Sequence, residues 1–352
     1  MKRILASILI TAIGFQSFAG NPDRTGQAGA TELLINPWAG SSGWNGLNTA
    51  NVHGLESMNQ NIAGLAFTNK TEILFSHSLW MQGSDISINA FGIAQSVGSN
   101  GGVIGFDVMN VNFGDVPITT TSLPEGGIGT FSPTYINVGL SYAKTFSNSI
   151  YGGFTARGIA ESISDVTATG LALDAGVQYV TGPDNQKDKI KFGIALRNIG
   201  TPMKFSGDGL SIHSQASEGD YTMNVEQRSE KFELPSLLNI GASYDLNVGS
   251  AGSAKSKLTI AANFTSNSFS KDQIGAGLEY SFKSLFQIRG GYNYQTGITS
   301  VTSRSTVLTG LSAGFSFAVP LKENGPQLGI DYSYRTTNPF NGSHSVGVRL
   351  SL

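Results

Sequence analysis

Large apolar side chains occupy every second position along most of this chain, from Lys70 onward, and small or polar ones fill the positions between them. One run places Ile136, Val138, Leu140 and Tyr142 on one side and Asn137, Gly139 and Ser141 on the other. Because successive side chains of a β-strand point to opposite faces, the pattern predicts strands with one apolar and one small, polar face. Runs of about 10 residues with this alternation are typical of strands that cross a membrane in a barrel.

The alternation predicts an all-β fold, a transmembrane antiparallel β-barrel of about fourteen strands, an even number as in single-chain bacterial barrels. The strands are expected near residues 70–80, 85–97, 101–114, 133–147, 149–162, 165–180, 186–199, 232–246, 256–268, 272–282, 284–295, 307–319, 326–337 and 342–352. If the first strand rises from the periplasm, the longest connections, 115–132, 200–231 and 296–306, lie outside. Barrels of this class have short periplasmic turns and long external loops, so pattern and topology agree.

The N-terminal part of the chain does not alternate. Lys2 and Arg3 precede an apolar run that ends at Phe15, and small residues such as Ala19 follow, which predicts a Sec signal peptide over residues 1–19. Residues 20–68, rich in Gly, Ala, Asn and Ser, suggest a plug or hatch inside the barrel, with a flexible periplasmic tail as the alternative. The barrel is then predicted over residues 69–352 of a protein of the outer membrane.

Composition narrows the function classes. Charged residues make up 13% of the chain, and 45 of its 352 residues are Gly. Soluble domains carry about 25% charged residues, so the low value favours a barrel that meets lipid. With no Cys and a net charge of −2, the chain has no thiolate metal site and no basic surface for nucleic acid.

No pattern of catalytic or metal-binding residues stands out, so we expect neither an enzyme nor a cofactor. The G-x-S-x-G stretch Gly310–Gly314 lies within an alternating run, whereas the nucleophile of a serine hydrolase lies in a strand-to-helix turn. Small wall residues are the preferred interpretation. The four His residues are dispersed without the spacing of metal ligands.

Two residue sets are candidate sites. Charges on the small-residue faces are expected to form a salt-bridge network between wall and plug, or alternatively to select a solute, because charge in a membrane must be paired or wet. This lumenal set is Arg197, Glu279, Arg289, Asp331, Arg335 and Arg349. Apolar residues on the two longest external loops suggest a partner-binding surface. This loop set is Leu123, Ile128, Phe131, Met203, Phe205 and Leu210.

Three stretches resemble a known family. The segment from Ala39 to Ala66, ending Asn-Ile-Ala-Gly-Leu-Ala, is similar to the N-P-A-G-L-A stretch that precedes the barrel in FadL-type fatty-acid transporters. Leu196-Arg197-Asn198-Ile199-Gly200-Thr201-Pro202 with Phe205, and Leu234-Pro235-Ser236 followed by Leu238, Gly241 and Tyr244, resemble the L-R-N-x-G and L-P-S blocks of the PorV/PorQ branch. The chain departs from the pattern at Ile62, which replaces Pro, and at Leu352, where many barrels end on an aromatic residue.

The resemblance implies a component of the type IX protein secretion system. Its external loops would then bind the C-terminal signal domains of secreted cargo or a large translocon, besides the contact of the barrel with outer-membrane lipid. The alternative is a FadL-like transporter of hydrophobic small molecules. The polar inward positions weaken this alternative, because such transport needs an apolar lumenal pocket. A third hypothesis, a lipid-acting enzyme, needs a Ser and His pair on the lipid face, and no such pair stands out.

Overall fold

A closed barrel of fourteen antiparallel strands forms the wall of the molecule. The computed structural model describes residues 20–98, 101–182, 188–215, 221–248, 256–283, 285–322 and 325–352. The predicted signal peptide, residues 1–19, therefore lies outside the described residues. The wall strands are β1 Thr71–Trp80, β2 Ile86–Ser96, β3 Val103–Asn112, β6 Thr134–Thr145, β7 Ile150–Ile163, β8 Val166–Thr181, β9 Ile190–Gly200, β14 Leu237–Val248, β15 Ser256–Asn267, β16 Gln273–Phe282, β17 Phe286–Gln295, β18 Leu308–Pro320, β19 Gln327–Thr337 and β20 Ser343–Ser351.

The predicted barrel is confirmed, and the observed strands match the predicted runs to within a few residues. The first and last wall strands pair from Glu72↔Ser351 to Leu79↔His344, which closes the sheet and leaves it no free edge. The largest difference is at β14, which begins at Leu237 rather than near residue 232. Pro235 precedes it, and proline has no N–H to donate to a ladder.

Further short strands lie in the long connections, all at one end of the barrel. These are β4 Val116–Pro117, β5 Thr130–Phe131, β10 Met203–Lys204, β11 Ser211–Gln215, β12 Thr222–Glu226 and β13 Lys231–Phe232. They pair as β4 with β5, β10 with β13 and β11 with β12. We call this end the loop end and the opposite one the turn end. The loop end faces the outside if the barrel follows the usual orientation.

Apolar side chains cover the outer face of the wall. Leu140, Ile194 and Ile274 are 59%, 53% and 59% exposed, and their strand neighbours Gly139, Ala195 and Gly275 point into the barrel. A soluble protein would bury residues of this kind, whereas lipid solvates them. No helix among the described residues has the length and apolar character needed to cross a membrane.

The lumen is filled by residues 30–68, which we call the hatch. It contains one short helix, α1 (Ala39–Gly43), and three 3-10 segments, Thr31–Leu34, Gly54–Asn59 and Ile62–Phe67. Trp38 and Leu55 are 0% exposed, and Leu47 and Leu65 are 1% and 0% exposed. The structure thus places a plug in the lumen where a flexible tail was the alternative.

Glycines on the inward face of the wall make room for the hatch. A Cβ at Gly193 would lie 2.4 Å from the Thr49 carbonyl oxygen, and one at Gly275 would lie 2.4 Å from the Leu47 side chain. Separations under 3 Å are shorter than any ordinary contact of a Cβ atom. Part of the Gly content of this chain is therefore explained by the close approach of hatch and wall.

The chain ahead of the hatch lies at the loop end. The Asn21 N–H donates to the Asn267 carbonyl at 3.2 Å, and the Gly29 N–H donates to the Glu233 carbonyl at 3.1 Å. Lys70, at the other end of the segment, lies at the turn end, where its carbonyl accepts from the Ser96 N–H. Residues 20–70 therefore run the whole length of the lumen before β1 begins.

Placing a charge at the centre of the apolar outer face tests the lipid contact. We expect Ile194→Lys to lower the free energy of unfolding by about 2–4 kcal/mol, as for a lysine at the bilayer midplane. The outward Thr167, at the loop end of β8, serves as the matched control, and Thr167→Lys should change stability by about 0–1 kcal/mol. Denaturant titrations in lipid vesicles measure the free energy of unfolding of both variants. Equal losses would contradict the assignment of the apolar outer face to the lipid contact.

Candidate functional site

An apolar cluster joins the hatch to the first half of the wall. Trp38, Leu55 and Met58 of the hatch pack with Ile88 of β2 and Met109 of β3. The indole N–H of Trp38 also donates to Asn59 Oδ1 at 2.8 Å. The sequence pattern led us to expect mostly small and polar residues facing inward. That expectation is wrong for these strands, because the apolar side of the hatch lies directly opposite them.

Arg157, in the middle of β7, faces the lumen and is 2% exposed. Its Nε donates to Asp174 of β8 at 2.7 Å, and its Nη1 lies 3.4 Å from Asp107 of β3. Its Nη2 donates to the backbone carbonyl of Met58 in the hatch. We did not single out Arg157 from the sequence, although it is a charge on an inward position of an alternating strand like those that we did.

A second arginine, Arg349 of β20, joins wall and hatch nearer the turn end. It donates to Asp331 Oδ2 at 2.9 Å and to a carboxylate oxygen of Glu56 in the hatch. Glu72 of β1 lies 3.9 Å away, and Glu56 also accepts from the Ser41 hydroxyl at 2.6 Å. Three neighbouring strands, β19, β20 and β1, therefore meet the hatch at one guanidinium.

The remaining members of the lumenal set divide into two groups. Arg289 pairs with Glu279 at 2.8 Å and donates to the Ser316 hydroxyl at 2.8 Å. Arg197 and Arg335 have no ion-pair partner among the described residues, although they are 6% and 5% exposed. The structure brings Glu279, Arg289, Asp331 and Arg349 into ion pairs and leaves the other two outside them.

A cavity of about 480 Å³ lies in the loop-end half of the lumen, between the hatch and strands β14–β18. Its rim includes the exposed residues Thr25 and Gly26, and its floor includes Asn45 and Gln60 of the hatch. Arg197 and Arg335 both line it. Its size is within the range of about 300–1,000 Å³ found for small-molecule sites.

The G-x-S-x-G stretch takes part in holding the hatch. Ser312 lies within β18, and its hydroxyl donates to the carbonyl of Gly43 at 2.9 Å. Gly310, at φ +93°, forms a bulge in the same strand, and its carbonyl accepts from the Asn45 amide at 2.8 Å. Neither residue lies in a strand-to-helix turn, so the motif has a packing role here.

The loop set is split by the structure. Leu123 and Ile128 are 53% and 52% exposed on the loop that carries β4 and β5. Phe131 and Leu210 are half-buried, and Phe205 packs on Phe232 with ring centroids 5.5 Å apart.

Met203 was predicted as an exposed contact residue, and this is wrong because it is 0% exposed. The backbone that follows β9 returns along β8, where Ser206 bonds with Thr167, and Met203 packs over Gly170.

An exposed apolar surface that we had not predicted lies on the β11–β12 hairpin. Ile212 pairs with Val225 and Ser214 with Met223, so these four side chains share one face. Ile212, Met223 and Val225 are 44%, 46% and 40% exposed. The alternation of apolar and polar residues in this loop was the signal that could have revealed it.

Solved structures with the same architecture are channels and transporters. The chain matches the Ralstonia pickettii toluene transporter TbuX with 13% identity and a TM-score of 0.52, covering 90% of this chain and 97% of that one. The match to the CymD monoaromatic hydrocarbon channel has 11% identity and a TM-score of 0.51, and it covers 90% of this chain and 97% of that one. The match to a FadL homologue of Pseudomonas aeruginosa has 11% identity and a TM-score of 0.50, and it also covers 90% of this chain and 97% of that one.

At identities this low the likeness establishes a shared FadL-type fold. The sequence matches no family model and no curated protein.

The buried cluster around Arg157 makes a stability prediction. Removing one partner of a buried ion pair leaves an uncompensated charge and costs about 3–5 kcal/mol, so we expect a loss of that size for Arg157→Gln. The triple variant Asp107→Asn, Arg157→Gln, Asp174→Asn removes all three charges and should recover most of the loss. Denaturant unfolding of the refolded barrel measures both. An Arg157→Gln variant as stable as the wild type would refute the contribution of these ion pairs to stability.

Proposed function

We propose that this protein is an outer-membrane transporter with a FadL-like architecture, and that it collects small hydrophobic molecules in the loop-end cavity. The carrying observation is the cavity itself, which has an exposed rim on one side and the packed hatch on the other. The exposed apolar belt supports placement in a membrane. The named solutes of two structural neighbours, toluene and monoaromatic hydrocarbons, support the solute class.

Apolar side chains contribute one part of the cavity wall. Leu237, Phe269, Ile298 and Leu308 line it from β14, β18 and two external loops, with Leu34 from the hatch opposite them. A ring-sized hydrocarbon could be desolvated against these groups. The polar inward positions of the sequence argued against a transporter of hydrophobic molecules. The apolar side chains of the cavity supply the contacts that those positions lack.

Passage beyond the cavity requires the hatch to move. Buried residues of the hatch and the ion pairs of Arg157 and Arg349 occupy the lumen between the cavity and the turn end. A solute that enters from the loop end therefore meets packed protein. Transport in this proposal includes a displacement of the hatch that opens a path past these contacts.

A disulfide between hatch and wall tests the displacement. A Cβ on Gly347 of β20 would lie 3.4 Å from the Cβ of Ala39 in α1, close to the separation of about 3.5–4.5 Å in disulfides. The chain has no Cys of its own, so Ala39→Cys, Gly347→Cys introduces the only pair. We expect oxidised cells to lose uptake of labelled toluene and a reductant to restore it.

The control joins two wall strands and leaves the hatch free. Ser78 of β1 and Ser345 of β20 have hydroxyl oxygens 2.7 Å apart, so Ser78→Cys, Ser345→Cys crosslinks the wall alone. This variant should take up toluene equally well in both redox states. Uptake that is unchanged by the Ala39–Gly347 crosslink, or no uptake above cells without the barrel, would refute the proposal.

The second candidate function is that of a type IX secretion component of the PorV/PorQ branch, which would bind cargo signal domains or the translocon through its external loops. The observation that favours it is the apolar face of the β11–β12 hairpin, with Ile212, Met223 and Val225 exposed. Apolar residues exposed together on an external loop are typical of protein-binding surfaces. Leu123 and Ile128, exposed on the neighbouring loop, enlarge the candidate surface.

A paired substitution on each face of the hairpin tests this second function. Ile212→Ser, Val225→Ser alters the apolar face, and His213→Ser, Asn224→Ser alters a directly paired position on the opposite face. If the secretion role holds, the tagged wild-type barrel and the second variant recover proteins with C-terminal signal domains from native membranes, and the first variant does not. Recovery of no such protein with the wild type would exclude this role.

A further inference from the structure

Arg335 is a buried cation that has no counter-ion within the part of the chain that the structure describes. It lies on β19 with 5% of its surface exposed, and its guanidinium sits 4.6 Å from the centre of the Trp80 ring. Neither its Nε nor its Nη2 has a hydrogen-bond partner, and it enters no ion pair among the described residues. A guanidinium presents five donors, so a buried one without an acceptor is expensive to maintain.

Arg197 reaches the same cavity from the facing wall. Its strand, β9, is six strands from β19 in the fourteen-stranded order, which is almost diametrically opposite. Its Nε has no hydrogen-bond partner among the residues that the structure describes, and its Nη2 makes one long hydrogen bond, at 3.5 Å, to the Leu33 carbonyl. The neighbouring carboxylate, Asp174, already accepts from Arg157 and from the Asn198 N–H at 2.7 Å each.

The rest of the lining is rich in neutral hydrogen-bonding groups. Among the described residues that line the cavity, none is Asp or Glu, so the two arginines set the sign of its charge. Fourteen amide and hydroxyl side chains line the cavity around them, among them Asn36, Asn45, Gln60, Asn293 and Ser305. They outnumber the apolar lining residues and offer both donors and acceptors.

We propose that the cavity is a binding site for a small hydrophilic oxyanion, a carboxylate or phosphate carried on a polyhydroxylated body of the size of a sugar. The oxyanion accepts hydrogen bonds from the part of the Arg335 guanidinium that lines the cavity, and the amides and hydroxyls of the lining bind the hydroxyl groups. Charge-assisted hydrogen bonds of a guanidinium to an oxyanion are among the strongest that side chains make.

A plain hydrocarbon satisfies only part of this site. It contacts the apolar side of the cavity, but it leaves the guanidinium of Arg335 without an acceptor and displaces the water that would otherwise solvate it. The inferred ligand concerns the cavity that the proposed function uses, but its binding does not depend on transport. It therefore assigns the cavity a second ligand class beyond hydrophobic solutes.

Calorimetric titration of the purified barrel in a nonionic detergent tests the inference. Glucuronate, glucose 6-phosphate and neutral glucose are the probes. We expect at least one of the two oxyanions to bind at least about tenfold more tightly than glucose, since hydrogen bonds to charged groups are the stronger ones. The oxyanion that binds identifies the group recognised, whether carboxylate, phosphate or both.

Arginine variants locate the binding. Arg335→Gln should abolish the preference for the oxyanion, and Arg335→Lys, which keeps the charge but loses the planar fork, should retain part of it. Arg304→Gln is the matched control, because Arg304 lies in an external loop, donates to Asn338 Oδ1 at 3.1 Å and is not part of the lining. It should bind as the wild type does.

Tryptophan emission supplies a readout that does not require the Arg335 variants to fold. Oxyanion binding beside the guanidinium should change the emission of Trp80, and Trp80→Phe should abolish that change. Equal affinity for all three sugars, or oxyanion binding unaffected in Arg335→Gln, would overturn the inference. Oxyanion binding by a barrel that fails the crosslinking test would leave the inference standing and remove the proposed transport.

Discussion

The packing of the interior of this molecule depends on the ion pairs and the hydrogen bond that the guanidinium of Arg157 makes. One side chain binds carboxylates from two separated parts of the wall, Asp107 and Asp174, and the backbone of the hatch at Met58. The desolvation of a charge this deeply buried is offset only if all its partners are in place. The register of β3, β7 and β8 and the position of the hatch are therefore coupled through one residue.

Sequence and structure agree most closely where lipid sets the pattern. Each strand that meets lipid must be apolar at every second position. A strand such as the run Ile190–Leu196 can therefore be predicted from its own sequence, without knowledge of its neighbours. The interior obeys no such local rule. Arg157 and Arg197 look alike in sequence, as charges on inward positions, and only the non-local arrangement of carboxylates gives one of them partners. Met203 was misjudged for the same reason, since a long connection can fold back on a strand.

The lumen is divided along its axis into two kinds of environment. Toward the turn end, arginines and carboxylates neutralise one another in contact with the hatch, as at Arg349 and Glu56. Toward the loop end, Arg197 and Arg335 line a cavity of about 480 Å³ and form no ion pair with any carboxylate of the described ranges. The ion pairs of the turn end suit a fixed contact between wall and hatch. The cavity of the loop end suits reversible binding of a solute. The hatch contributes residues to both.

Residues 20–29 lie among the external loops, and Leu352 lies at the turn end, with the hatch packed along the path between them. A strand-only barrel with an even number of strands would present both ends of its chain to the same compartment. In this structure residues 20–29 instead lie at the loop end and Leu352 at the turn end, and the segment that begins at residue 20 passes through the lumen between them. Such a segment is a continuous mechanical connection: the packed side chains of the hatch join residues 20–29 at the loop end to the start of β1 at the turn end, independently of any movement between strands of the wall.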